Sequence, residues 1–349
     1  MKWTSEKLDN LPVHFILCTE RTGSSLLSLM LNLNDAIQCP SEEPFALYLA
    51  PKYSKIKQFT IEILTNYVED FFLMAEKNID LYFSKKDVFL ENLMAHKDFL
   101  NYELLVKLTY LHFIDIKDKS EVKVIVDKQI KYFFYLPQLQ QLFPKAKYIV
   151  LVRDVRDNIV SKKNRSLNWS SNPLFLACLW KQTYAQIEKL RSNEWMWIRY
   201  EDFVINTELC LQGICEFLNV PFQEKMMETK GVFQQLIAAK EKDLNPRFVK
   251  HLKDFHSGLD QVPNTSKIGQ YKQLDAAIVS SVESICHQQL AFFGYIESNE
   301  NITKNTSINS LFYCLLAKMY RKNLLAFYYK IPVSWKLRRK KSITKSWQA

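Results

Sequence analysis

Two stretches of this 349-residue chain carry residue types that can hold anions. The first runs Phe15-Ile-Leu-Cys-Thr-Glu-Arg-Thr-Gly-Ser-Ser-Leu-Leu27 and reads as a buried strand, a turn through Gly23 and a helix from Ser24. A helix start offers unpaired backbone N–H groups and the positive end of the macrodipole, which suits an anion. Arg21 adds a charged fork that matches phosphate or sulfonate oxygens, Thr22 follows it, and Ser24 and Ser25 add hydroxyl donors. Gly23 permits close backbone approach or a positive φ. A full Walker pattern needs an earlier Gly and a Gly-Lys pair; Cys18 and Ser24 stand there instead, which disfavours an ordinary P-loop ATPase. The competing reading is a strand–turn–helix with no ligand. The second stretch is Tyr148-Ile-Val-Leu-Val-Arg-Asp-Val-Arg-Asp-Asn-Ile-Val-Ser161. Here a buried strand runs into Arg153, and the helix that follows carries Asp157 and Ser161 four residues apart. Arg153 and Ser161 can hold a second anionic group. The competing reading is an Arg–Asp ion pair that fixes the strand–helix corner.

The elements that must position these residues alternate. Apolar, β-branched runs at 13–19, 37–39, 122–127, 147–153 and 195–199 read as buried parallel strands. Helical patterns cover 24–32, 134–143, 156–163, 173–192 and 207–218, the last with Asn206 as N-cap. Alternating strands and helices predict an α/β fold with a parallel sheet flanked by helices. Ligands of such sheets sit beyond the carboxyl ends of the strands, which sets Arg21 and Arg153 on one edge. Residues 51–120 break the alternation with helical patterns at 59–77 and 99–113. This insertion either packs on the sheet or covers a substrate. The expected domains are 1–305 and a C-terminal extension, 306–349, joined by an Asn/Ser/Thr-rich stretch at 297–309.

The net charge of +10 lies in the extension. Residues 306–349 hold ten Lys/Arg and no Asp or Glu, so the remaining 305 residues are neutral overall. Seven cysteines form no Cys-x-x-Cys pair, which disfavours a disulfide framework or a zinc site and fits a reducing compartment. The polar start, 1–10, lacks the apolar core of a signal peptide, so a cytoplasmic location is expected. The five Asn-x-Ser/Thr triplets are then compositional. None of the six histidines (14, 96, 112, 251, 256, 287) has metal-ligand spacing; His14 reads as structural, and no metal is expected.

Taken in order, Arg-Thr-Gly-Ser-Ser-Leu-Leu after one strand and Leu-Val-Arg-Asp-Val-Arg-Asp-Asn-Ile-Val-Ser after another resemble the sulfotransferase family. That family uses 3′-phosphoadenosine 5′-phosphosulfate (PAPS). Phe143-Pro-Lys-Ala-Lys-Tyr148, Arg199-Tyr-Glu-Asp-Phe203, Lys267-Ile-Gly-Gln-Tyr-Lys272 and Phe293-Gly-Tyr295 continue the likeness, which covers roughly residues 13–295. The resemblance implies a P-loop-like sulfotransferase fold. It implies that Arg21, Thr22, Gly23, Ser24 and Ser25 wrap the 5′-phosphosulfate, and that Arg153 and Ser161 bind the 3′-phosphate. Tyr200 would lie near the adenine, and Lys267 would approach the 3′-phosphate. Two departures stand out. Glu20 precedes Arg21 where the family more often has a small residue or Pro. The segment Asp127-Lys-Gln-Ile-Lys-Tyr132 has no His where cytosolic members carry their catalytic one. Pro40-Ser-Glu-Glu-Pro-Phe45 offers a base instead. Bacterial carbohydrate sulfotransferases with the same Arg-Thr-Gly-Ser start place a catalytic Glu after a Pro here, and the spacing from Arg21 selects Glu42, with Glu43 as runner-up. Two acids that merely cap a turn are the alternative.

The expected activity is sulfuryl transfer from PAPS to a hydroxyl of a carbohydrate or lipid-like acceptor, bacterial in style. Glu42 would serve as base, and Arg21, Lys128 and backbone N–H groups would stabilise developing charge. A P-loop-like nucleotide kinase or phosphotransferase is the alternative and would need Mg²⁺, for which Asp127 is the obvious carboxylate. A non-catalytic binding protein of the same fold is a third reading. Segment 311–329 is apolar and aromatic but is broken by Lys318, Arg321 and Lys322, so it should not span a bilayer. It reads either as an interfacial helix that tethers the protein peripherally to an anionic membrane surface or as a helix that packs on the body. Nucleic acid is not an expected partner, because the body is neutral and carries no reading motif.

Overall fold

A computed structural model describes residues 3–40, 42–75, 83–113, 119–130, 132–163, 172–187, 193–232, 234, 263–297, 308–320, 327, 330–332 and 334–335. Five parallel strands form one sheet in the order β2–β3–β1–β4–β5. They are β1 (Val13–Cys18), β2 (Ile37–Gln38), β3 (Val124–Lys128), β4 (Tyr148–Val152) and β5 (Trp195–Arg199). All five strands expected from the apolar runs are present. Those runs are continuous because both faces of the sheet are covered.

Side chains alternate between the two faces, as strand geometry demands. Phe15, Leu17, Ile125, Tyr148, Val150 and Val152 enter the larger core, while Ile16, Cys18, Val124, Val126, Ile149 and Leu151 enter the smaller one. The smaller core is closed by α2 (Ser24–Asn32), α11 (Tyr200–Ile205) and α12 (Thr207–Leu218). Helix α12 ends at Asn219, which adopts the left-handed conformation at φ 58 that Asn tolerates better than most residues. Asn206 stands at its N-cap as expected, but its side chain makes no capping bond.

The larger core takes the short helices α1 (Ser5–Asp9), α3 (Phe45–Tyr48) and α4 (Ala50–Tyr53) and the insertion helices α5 (Ile61–Met74), α6 (Lys86–Ala95) and α7 (Tyr102–Leu111). The insertion packs on the sheet through aromatic rings. Phe71 lies 5.3 Å from Phe45 edge-on, and Tyr110 lies 4.7 Å from Phe45. Thr60 and Asn101 cap α5 and α7 by accepting the N–H groups of Ile63 and Leu104. The rest of this face is covered by α8 (Leu136–Leu142), α9 (Val155–Lys163), α10 (Pro173–Ile187), α13 (Ala276–Phe292) and α14 (Ile308–Met319).

One expectation about cysteine is corrected. Cys178 in α10 and Cys314 in α14 form a disulfide that spans 136 residues of sequence. No local spacing announces such a pair, because it depends on two distant helices meeting. The remaining five cysteines form no disulfide. No helix among the described residues is long and apolar enough to cross a membrane. His251, His256, Asn164, Asn168, Asn301, Asn305, most of the 297–309 stretch and the basic run 336–341 lie outside the described residues.

Candidate active site

The carboxyl ends of β1, β3 and β4 converge with the start of α11 and a loop at 267–271. The turn after β1 is shaped by two left-handed residues, Arg21 at φ 66 and Gly23 at φ 81. Gly23 is required there for a second reason: a Cβ on it would meet the Tyr200 ring at 2.7 Å. Thr22 is fully buried, and its hydroxyl donates to the Thr19 carbonyl at 2.9 Å, which closes the turn. Ser24 is buried and Ser25 half-buried at the first turn of α2. Arg21 costs backbone energy at positive φ, since side chains other than Gly rarely adopt it. It is held from both ends. Its Nε donates to Ser161 Oγ at 3.2 Å, and its carbonyl accepts from Arg153 Nη1 at 3.1 Å.

Arg153 is the centre of this arrangement. It is buried, donates to the Arg21 and Lys267 carbonyls (3.1 and 2.7 Å), and lies 4.5 Å from the centre of the Tyr200 ring. The Arg–Asp ion pair weighed for this strand–helix corner does form, but it does not use Arg153. Asp154 pairs with Arg156 at 2.6 Å, and Arg156 also reaches Glu283 at 2.5 Å. Among the described residues no carboxylate comes within ion-pair distance of Arg153, and its buried Nε has no hydrogen-bond partner. The charge of Asp157 acts on Arg153 from beyond ion-pair distance, and a buried cation otherwise held by carbonyls and a ring is costly unless an anion completes it.

Asp157, four residues before Ser161, accepts the backbone N–H groups of Gly269 (2.7 Å) and Tyr271 (2.8 Å). This ties the 267–271 loop over Arg153. Burial pushes the Asp157 carboxyl up, and the two N–H donors oppose that. The loop meets Arg153 through the Lys267 carbonyl, while the Lys267 residue itself is exposed. Glu201 fastens the same corner by accepting from the Asp154 N–H (3.1 Å) and the Tyr295 hydroxyl (2.7 Å). Trp180 Nε1 donates to the Arg153 carbonyl, and the Tyr184 hydroxyl donates to the Leu151 carbonyl. Helix α10 thus satisfies strand-end groups that would otherwise be buried unpaired. Glu20 faces a base: its charge acts on buried Lys162, whose ammonium is pushed down by burial and by Arg21 and pushed up by Glu20.

The second half of the site lies at the end of β3. Lys128 is buried and its Nζ donates to Glu42 Oε2 at 2.6 Å. The Ile130 N–H donates to Glu42 Oε1 at 3.4 Å. Burial lowers the Lys128 ammonium, but the Glu42 carboxylate and the nearby thiols of Cys18 and Cys39 outweigh it, and the net direction is up. The adjacent acids differ in setting, since the Glu42 side chain is 35% exposed and Glu43 is buried. The chain around them is pinned by insertion hydroxyls and ring neighbours. Tyr102 donates to the Ala46 carbonyl at 2.8 Å, and the Tyr132 hydroxyl accepts the Leu47 N–H at 3.3 Å.

Asp127 does not present a metal-binding carboxylate. It is wholly buried and accepts from the Tyr110 hydroxyl (2.5 Å) on one oxygen and Gln129 Nε2 (2.8 Å) on the other. Burial pushes its carboxyl up to about 7. No group of three or more His, Cys, Asp and Glu among the described residues is placed to hold a metal ion.

Asp157, Arg156 and Glu201 were not singled out as site residues from the sequence. The partners that give them their places lie far along the chain, Gly269 and Tyr271 for Asp157, Tyr295 for Glu201 and Glu283 for Arg156, although Arg156 also pairs locally with Asp154.

One edge of this α/β sheet thus joins a left-handed turn at a helix start to a buried arginine with no carboxylate within ion-pair distance among the described residues, an arrangement that suits an anion. Residues 12–224 match the Sulfotransferase family, well over half of the chain, and the chain belongs to that family. Its PAPS-dependent sulfotransferase resemblance and its P-loop-like sulfotransferase fold are thereby borne out. The chain is 31% identical over 98 residues to protein-tyrosine sulfotransferase A of Caenorhabditis elegans. That match covers 26% of each protein, so the chain spans about a quarter of that relative's length. Among solved structures it is similar to the sulfotransferase domain of the Synechococcus PCC 7002 olefin synthase. That likeness has a TM-score of 0.53 and 19% identity, and it covers 85% of this chain and 99% of that one. The sulfotransferase domain of the curacin biosynthetic pathway aligns over 80% of this chain and 97% of that one, with 21% identity and a TM-score of 0.48.

Proposed function

We propose that this protein transfers a sulfuryl group from PAPS to a hydroxyl of a carbohydrate or lipid-like acceptor, with Glu42 as the general base. One observation carries the reading: Arg153 is buried on the sheet edge beside Arg21, with two carbonyls and a ring for partners and no carboxylate among the described residues. A ligand with two separated anionic ends fits that edge. When bound, PAPS supplies an activated sulfuryl group on a phosphate leaving group.

We assign the roles as follows, in keeping with the geometry of the site. Thr22, Gly23, Ser24 and Ser25, with the start of α2, hold the 5′ end, and Arg21 neutralises it. Arg153 and Ser161 hold the 3′-phosphate, with Lys267 at the rim and Tyr200 beside the base. Glu42 takes the proton of the acceptor hydroxyl as its oxygen attacks sulfur. Lys128, paired with Glu42 at 2.6 Å, orients its carboxylate and faces the charge that develops on the leaving oxygen. The exposure of Glu42 favours it over buried Glu43 as the group an acceptor can reach.

The catalytic body is 1–305, with the insertion 51–120 as part of its core; of the extension 306–349, α14 packs on that body through one face, and an anionic surface is the partner we assign to the rest. The Cys178–Cys314 disulfide favours an oxidising compartment over the cytoplasm expected from cysteine spacing. The test is transfer from radiolabelled PAPS into hydroxylated carbohydrate and lipid acceptors, with wild type and Glu42→Gln side by side. Label incorporated by the wild type and lost in the variant supports the reading. No incorporation into any hydroxyl acceptor, by a protein that binds the desulfonated product PAP, would favour the non-catalytic alternative.

A further inference from the structure

Helix α14 has two faces with opposite settings. One is fastened to α10. Cys314 is bonded to Cys178, Ala317 is fully buried, Ser310 is buried, and Tyr320, just beyond the helix, lies 6.4 Å from Phe175. The other face is apolar and open: Leu311 is 61% exposed, Phe312 55%, Leu315 57% and Met319 51%. Residues 311, 315 and 319 recur every four positions and 312 sits beside them, so they share one stripe. Phe327 and Trp335 are exposed further along. Four large apolar side chains in one open stripe are more than scattered surface residues.

The surrounding charge narrows what can cover the stripe. Residues 306–349 hold ten Lys/Arg and no acid, and Lys318 and Lys330 are exposed. A second copy of this chain docked on the same stripe would bring the two copies' Lys318 side chains together with no acid in this segment to offset them, which like-charge repulsion opposes. An anionic lipid surface satisfies both features at once. Its acyl boundary takes Leu, Phe and Met, and its headgroups take Lys and Arg. Among the described residues no helix is long and apolar enough to cross a membrane, and an apolar stripe on one face of α14 suits a helix lying in the plane of the surface.

We propose that the outward face of α14 seats the protein on an anionic lipid bilayer while the disulfide holds the opposite face to the body. This deepens the partner named for the extension. Its test uses no turnover, so its failure is separable from failure of the transferase reading. The bridge matters to the device: with Cys314 fixed to α10, the apolar stripe cannot rotate inward to bury itself.

The full chain is sedimented with vesicles of phosphatidylcholine alone and of an equal mixture of phosphatidylcholine and phosphatidylglycerol. The wild type is expected to partition about tenfold more into the mixed vesicles and to lose that preference in high salt. Phe312→Glu with Leu315→Glu should bring partitioning down to the level of the neutral vesicles. Ile205→Glu with Leu209→Glu, at apolar residues exposed elsewhere on the body (58% and 68%), should leave it unchanged. Melting temperatures within about 2 °C of wild type confirm that both variants are folded. Equal binding by the α14 variant and the wild type, or no wild-type binding to either vesicle, overturns the proposal. So does a wild-type dimer in light scattering that the α14 substitutions dissociate, since a second copy would then cover the stripe.

Discussion

At the scale of single residues, the account rests on which charges are already neutralised. Asp154 is committed to Arg156, and Glu42 to Lys128, whereas Arg153 has no described carboxylate partner. Arg153→Ala should therefore weaken PAP binding by about 1.5–3 kcal/mol, the usual worth of a charge-assisted contact, and Arg21→Ala should do the same. Titration calorimetry reads both. Glu42→Gln should keep PAP binding and the fold but lower turnover by roughly 10²–10⁴, the scale of a lost general base. Glu43→Gln should affect turnover far less; a reversal of the two would move the base to Glu43. Asp127 gives a pH signature. Its buried carboxyl, raised to about 7, binds its proton more tightly folded than unfolded. Its contribution to stability is thus fully present below the unfolded value near 4 and is lost as pH rises to about 7. Denaturation of Asp127→Asn across that range should show the variant gaining on the wild type as pH climbs, then levelling. A difference that does not change with pH would contradict the assignment.

At the scale of elements, the turn between β1 and α2 depends on Gly23 and Tyr200 fitting together. Gly23→Ala should cost about 1–3 kcal/mol, because Ala is strained at φ 81 and its Cβ would overlap the Tyr200 ring. Chemical denaturation measures the loss, and a fall in PAP affinity should accompany it. These elements were legible in the sequence for clear reasons. Burial on both faces makes each strand a continuous apolar run, and Gly23 followed by Ser24 marks the start of α2. The two anion stretches were legible too, since strand, turn and helix lie within a dozen residues. What joins them was not. The Lys128–Glu42 pair spans 86 residues, and the Asp157 bonds to Gly269 and Tyr271 span 112 and 114. An Arg–Asp pair at the second corner was legible, but which Arg and which Asp form it depends on the corner's three-dimensional shape, which joins Asp154 to Arg156. The insertion's aromatic pattern foretold burial but not that Tyr102 fastens the chain beside Glu42.

At the scale of the whole molecule, the sheet edge gathers the site, and α10 connects that edge to the C-terminal helix. Trp180 and Tyr184 bind the ends of β4, while Cys178 on the same helix bonds Cys314. Cys314→Ser should lower stability by about 2–4 kcal/mol, with a matching drop in melting temperature, because the bridge closes a long loop. The same drop should follow reduction of the wild type and be absent on reducing the variant. The central claim, that two basic helix-start sites on one edge serve one doubly anionic nucleotide, is tested most directly by calorimetric titration of the full chain with PAP and with ATP–Mg²⁺. Micromolar or tighter binding of PAP, much weaker binding of ATP–Mg²⁺, and loss of the PAP signal in Arg153→Ala are the expected result. Binding of PAP that is unchanged in both Arg153→Ala and Arg21→Ala, or a preference for ATP–Mg²⁺, would contradict it.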